Sequence, residues 1–220
     1  AGKDHLAALS DDGRLLLFVS TLPADATPEP RFQVSERDET QQVFGLDVEG
    51  FAPGTTRVVG AEANGYPLLR VAEIPPGEYT VQAFLHLYET FRRADGHVVK
   101  LPADRGEGQS MGRAPGNRYS RPRRVRLGDG GTVRIALDQV NPAIPRPMDT
   151  RYVKHLELPN ERLSRFWGRP VSLGAVVVLP EGWHEHPEQR YPLAVFHGHF
   201  QSTYEEMREE PPDPSLPSVD

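Results

Sequence analysis

Between Tyr79 and Leu87 the chain alternates: Tyr79, Val81, Ala83, Leu85 and Leu87 share one parity, and Thr80, Gln82, Phe84 and His86 share the other. A period of two places successive side chains on opposite faces of a pleated strand, so this segment lays a face on a core only as a strand. The 22 prolines and 20 glycines in 220 residues confine the rest to short elements joined by turns. "RLLLFVS" at 14–20 reads as a buried strand. Val43, Phe44, Leu46 and Val48 form another before the Pro53-Gly54 turn, and "RVVG" and "LLRVAEI" read as two more. Val125 and Leu127, then Val133, Ile135 and Leu137, flank a turn at Asp129-Gly130-Gly131 and predict a hairpin. Short strands at this spacing predict a β-sandwich over residues 1–145.

The pattern changes after "NPAIPRPMDT". "RYVKHLELP", "VSLGAVVVLPEGW" and "YPLAVFHGHF" carry nearly continuous apolar runs, which suit strands covered on both faces, as in an α/β sheet. Residues 146–200 are therefore expected to open a second, α/β domain. Ser202 and Glu205 have the spacing of a capping box, but the acidic, proline-rich stretch 201–220 forbids a long helix and reads as a loop or cleavage tail. No internal repeat is present.

The formal charge of −6 argues against a nucleic-acid partner. No apolar run reaches the roughly 18 residues of a membrane span. The chain has no cysteine, which excludes disulfides and thiolate metal sites. It starts at Ala1 without Met, which suits a processed, periplasmic or secreted protein and leaves the cytoplasm open.

Gly108-Gln109-Ser110-Met111-Gly112 matches G-x-S-x-G, the nucleophile elbow of serine hydrolases. An elbow needs a buried strand before the serine and a helix directly after it. "LPADRGEGQ" has no apolar run, and Pro115-Gly116 stands where the helix would continue, so Ser110 reads as a decoy in a long glycine-rich loop. Residues 91–126 hold ten Lys/Arg against three Asp/Glu. This basic excess fits a surface laid on a neighbouring domain or, alternatively, a grip on an anionic substrate. His184-Glu185-His186 and His197-Gly198-His199 are two H-x-H pairs that could ligate zinc in a metal hydrolase. The first pair lies in a polar loop before Pro187, however, and no carboxylate accompanies it at a fixed spacing. The preferred reading has no metal and no cofactor.

The stretch 172–200 resembles the opening of the catalytic domain in bacterial esterases of the α/β-hydrolase superfamily, the esterase-D and feruloyl-esterase type. The likeness rests on Leu179-Pro180-Glu181-Gly182-Trp183, where the family usually has Tyr at the last position. It continues through Arg190-Tyr191-Pro192, the apolar run Leu193–Phe196 and the end at His197-Gly198. His199-Phe200 stands where the family often has a second glycine. "PPGEYTVQAFLHLYE" resembles, more distantly, strands of Ig-like domains that precede such esterases. The resemblance implies an Ig-like β-sandwich followed by the first strands of an α/β-hydrolase domain. It also implies a carboxylic-ester hydrolase acting on a small ester.

Acyl transfer generates an oxyanion that backbone N–H groups must meet. Gly198, His199 and Phe200 would supply that loop through their backbone, and His197 would orient it. The superfamily's Ser, Asp/Glu and His follow the oxyanion loop in chain order, which implies a triad in a downstream C-terminal catalytic segment, either continuous with this one or cleaved and still attached as a second chain. The alternative class is a noncatalytic β-sandwich binding module.

Overall fold

The computed structural model describes residues 11–197, apart from Asp38, Gln109 and Asp129. It is mostly antiparallel β-structure with a single α-helix among the described residues, consistent with a β-sandwich. Two compact units emerge. One comprises the described residues up to Phe91 together with Val98–Ile144, and the other Arg92–His97 with the described residues from Pro145 onward.

The first unit is built on β1 (Asp11–Ser20), which pairs antiparallel with β2 (Gln42–Phe51) on one edge and with β4 (Gly77–Arg92) on the other. The sheet runs β3 (Asn64–Tyr66), β2, β1, β4, β6 (Arg118–Tyr119), β8 (Gln139–Val140). The long β4 also carries β5 (Val98–Leu101) and β7 (Arg123–Leu127). With sixteen residues, β4 is long enough to carry several shorter neighbours along its edges.

Parity sorts the core. Leu15, Leu17 and Val19 of β1, with Phe44 and Val48 of β2 and Val81 and Leu85 of β4, face one side. That side is covered by Val59, Ala63, Leu68, Val71 and Ile74 and by Val133, Ile135 and Leu137. Leu16, Phe18 and Phe84 face the other side, beneath Val34, Met111 and Tyr119, and the Phe18 and Phe84 rings meet edge to face at 6.2 Å. Close approach at the start of β1 demands glycine: a Cβ on Gly13 would stand 2.1 Å from the His86 carbonyl oxygen.

Three expectations change. "RVVG" and "LLRVAEI" form no strand; they are a loop and a short 3-10 turn (Val71–Glu73) whose apolar side chains cap the sheet. The hairpin over 123–140 does not form, because β7 pairs with β4, through Thr80↔Arg124 and its neighbours, instead of with 133–137. The turn residue Asp129 lies outside the described residues. The region read as a long glycine-rich loop contains β5 and β6, since its residues complete the free edges of β4.

Buried polar groups hold the loops over the second face. Gln82 Nε2 donates to Glu29 Oε2 at 2.8 Å and to the Ser120 carbonyl at 2.9 Å, while its Oε1 accepts the Arg31 N–H at 3.0 Å. The Arg31 guanidinium lies 3.7 Å from the Tyr119 ring centroid, donates to Asn141 Oδ1 at 2.9 Å and pairs with Glu29. Asn141 in turn donates to the carbonyls of Gly112 and Ala114, and Asn117 links the Met111 carbonyl to the Leu87 N–H.

The second unit contains β9 (Val153–Pro159) and β10 (Ser172–Val178), antiparallel, joined by α1 (Glu161–Trp167). The helix, which was not anticipated, starts at Asn160, whose Oδ1 accepts the Leu163 N–H at 2.9 Å, and stops at Gly168 with φ +66°. Leu173↔Leu158 and Ala175↔Leu156 are cross-strand pairs on one face, and Leu156, Leu158 and Leu173 remain exposed there. Pro192–His197 forms no strand; Leu193, Val195 and Phe196 are 84%, 80% and 88% exposed.

Two predictions follow from the first unit's packing. Gln82→Leu keeps the volume but strands buried donors and acceptors, so urea unfolding should show a loss of about 2–4 kcal/mol. Burial holds the His86 imidazole below its ordinary value of 6.5. The unfolded chain therefore takes the proton first, and stability should fall as pH drops through about 6.5 toward the folded value. His86→Gln should flatten that part of the urea-midpoint profile between about pH 7.5 and 5.5.

Candidate functional site

β10 leaves the two-stranded sheet at Val178, and the Leu179 N–H donates to the Tyr152 carbonyl at 2.7 Å, which anchors the following loop to the start of β9. Successive turns then carry the chain through Trp183 N–H to Pro180 O at 3.2 Å, His186 N–H to Gly182 O at 2.9 Å and Gln189 N–H to His186 O at 3.0 Å. Gly182 sits at φ +79°, a left-handed conformation that a side chain would strain. The Trp183 and Tyr191 rings meet at 5.8 Å, so the loop closes on itself and releases the chain into Pro192–His197. The structure thus brings together Leu179–Trp183 and Arg190–Pro192, two of the stretches on which the esterase resemblance rests.

His197, assigned to orient the oxyanion loop, is exposed at the end of the described run. Gly198, His199 and Phe200, assigned as its backbone donors, lie outside the described residues, as do the 201–220 stretch and its Ser202–Glu205 helix start.

In the first H-x-H pair, His184 is engaged by its own surroundings. His184 Nε2 lies 2.9 Å from the Arg151 carbonyl, which only accepts, so this nitrogen carries the proton and offers no lone pair. Glu185 binds Arg151 Nη2 at 2.6 Å, and the His184 ring packs 5.6 Å from Tyr152. Among the described residues no three His, Asp or Glu side chains converge as metal ligands. One carboxylate–imidazole pair went unnoticed in the sequence because its partners are six residues apart across a turn. Asp149 Oδ1 accepts the His155 main-chain N–H at 2.8 Å and lies 3.3 Å from its Nδ1. The main-chain hydrogen bond, with the ring contact and Lys154 behind it, holds the Asp149 carboxyl below the ordinary carboxylate value.

Ser110 follows no strand: β5 ends at Leu101, and a 3-10 turn, Met111–Arg113, comes next. Its carbonyl accepts the Arg113 N–H at 2.8 Å, and Met111 packs onto the Phe18 and Phe84 cluster. The loop is thus shaped by its own turn and by the core, with neither half of an elbow.

Much of the basic excess is paired within the unit that carries it. Lys100 reaches Glu49 at 2.7 Å and Asp12 at 3.0 Å, Arg105 reaches Glu89 at 2.7 Å, and Arg118 reaches Asp11 at 3.0 Å. Arg93 pairs with Asp95 and lies over the Phe166 ring, while Arg124 donates to the Leu22 carbonyl at 3.2 Å. Cations held this way hold the protein's own strands and loops together.

No family model, curated protein or solved structure matches the chain.

Replacing Ser110 by Ala removes a hydroxyl that makes no capping hydrogen bond to the 3-10 turn after it. Turnover of a model ester by the complete protein should stay within about two-fold of wild type, whereas loss of a true nucleophile costs several orders of magnitude.

Proposed function

We propose that these residues form the N-terminal portion of a serine esterase: a β-sandwich accessory unit followed by the opening strands and the oxyanion loop of an α/β-hydrolase domain. The Ser-His-Asp triad then belongs to a segment outside these residues, carried downstream or as an associated second chain. The observation that carries this reading is the exposure of Leu193, Val195 and Phe196 immediately after the closed Trp183–Tyr191 loop.

An apolar, strand-length run costs free energy when it stands in water, and a contiguous exposed apolar patch marks a surface meant to be covered. The two-stranded β9–β10 sheet has the same need. Both of its outer edges are unpaired among the described residues, its Leu156, Leu158 and Leu173 face is open, and two strands alone are marginally stable in water. Further strands beside Leu193–Phe196 would meet both needs and would make it a central strand. Its C-terminal end is where an α/β sheet presents its chemistry.

In this role Gly198 would allow a sharp turn, and the N–H of His199 or Phe200 would meet the oxygen that becomes negative as the nucleophile attacks an ester carbonyl. Such a donor strengthens its bond as charge develops and so stabilises the transition state more than the ground state. His197 holds the loop's approach. The active site would then take a small ester, with both proton transfers performed by residues of the completing segment.

A fluorophosphonate probe reacts with an activated serine and separates the possibilities. Applied to the complete protein and mapped by mass spectrometry, it should label a serine outside these 220 residues, in the same polypeptide or in one that copurifies. Labelling of Ser110, or of any serine of this chain, would overturn the assignment, as would the absence of both a labelled serine and esterase turnover in the complete protein.

A further inference from the structure

Residues 132–138 alternate strictly. Val133, Ile135 and Leu137 pack on the core, whereas Thr132, Arg134, Ala136 and Asp138 are exposed. This is a strand's burial pattern, yet no ladder pairs the segment with another strand among the described residues. Main-chain N–H and C=O groups are obligatory hydrogen-bonding groups, so a strand with no neighbour leaves a row of them to be satisfied from outside. One is taken internally: Arg123 Nη1 donates to the Arg134 carbonyl at 3.3 Å. Residues of a strand turn their N–H and C=O to alternate edges. With the Arg134 carbonyl turned toward the Arg123 side chain, Ile135 and Leu137 present theirs to the opposite edge, which no described strand covers.

We propose that this open edge pairs with the same edge of a second copy of the chain, antiparallel, about a two-fold axis through Ala136. This register sets Ile135 opposite Leu137 of the other copy, at positions that exchange both N–H···O bonds. It sets Arg134 opposite Asp138 of the other copy at the intervening, closer positions, and the symmetry repeats that charge pair. Neither Arg134 nor Asp138 has an ion-pair partner among the described residues, so both charges are available. Ala136 meets itself at the axis with a methyl group that lets the two main chains approach. Charge complementarity favours this occupant over an unrelated strand, because seven residues supply both halves of the match. The inference concerns the first unit alone and is independent of the esterase reading.

Sedimentation velocity on the complete protein tests it. The wild type should shift to twice its protomer mass as concentration rises through the micromolar range. Arg134→Asp and Asp138→Arg each oppose like charges and should raise the dissociation constant about ten-fold or more. The double exchange Arg134→Asp/Asp138→Arg should restore it, which a merely structural role for either residue would not produce. Circular dichroism checks that the variants fold. A protein that stays monomeric at every concentration overturns the proposal. So do single reversals that leave the dimer unchanged, or a double variant as weak as the singles. Slow amide exchange at Ile135 and Leu137 in a monomer would assign the edge to a different strand, and that too overturns it.

Discussion

Strand β1 is buried on both faces and paired on both edges, and the first unit follows from that constraint. A strand with Leu15, Leu17 and Val19 on one side and Leu16 and Phe18 on the other needs two covering layers. It also needs neighbours of matching length, which β2 and β4 supply over most of its ten residues. Gly13 permits the tight crossing beside His86, and from there the register is held by which parity meets which core. A one-residue slip of β4 would send Phe84 and Leu85 to the wrong faces, so hydrophobic burial enforces the pairing that hydrogen bonds alone would leave ambiguous.

The second covering layer is made of loops, and loops carry main-chain polar groups that a core cannot tolerate unpaired. Gln82, Asn117 and Asn141 solve this by lending their amides to the segments at 29–33, 111–120 and 139–141. Arg31, stacked on Tyr119, is the hub. The same requirement shapes the loop after Ser110, which Asn117 and Asn141 pin through the Met111 and Gly112 carbonyls.

The second unit has the opposite economy. Its polar loop is tightly organised by the Trp183–Tyr191 contact and the Arg151–Glu185 pair, while its apolar run at 193–196 stands exposed. That contrast marks the 193–196 run as a surface meant to be covered.

The alternating parity of 79–87 and the buried run at 14–20 were legible in the sequence, because strand geometry imposes a period of two whatever the surroundings. The uselessness of Gly108–Gly112 as an elbow was legible too, from flanks that cannot form a strand or a helix. Tertiary structure decided the rest. β7 could pair with its hairpin mate or with β4, and only the free edge of β4 settled it. Residues 57–60 and 68–74 are apolar enough for strands, yet they became a cap because the face beneath needed covering. The seven-residue α1 was invisible to periodicity, since its Asn160 cap and Gly168 stop matter more than its short apolar face. Asp149 and His155 met across a turn that no spacing rule announces. Local pattern determines which face of an element is apolar, but the choice of partner is a competition among distant segments, decided by burial and by the pairing of main-chain groups.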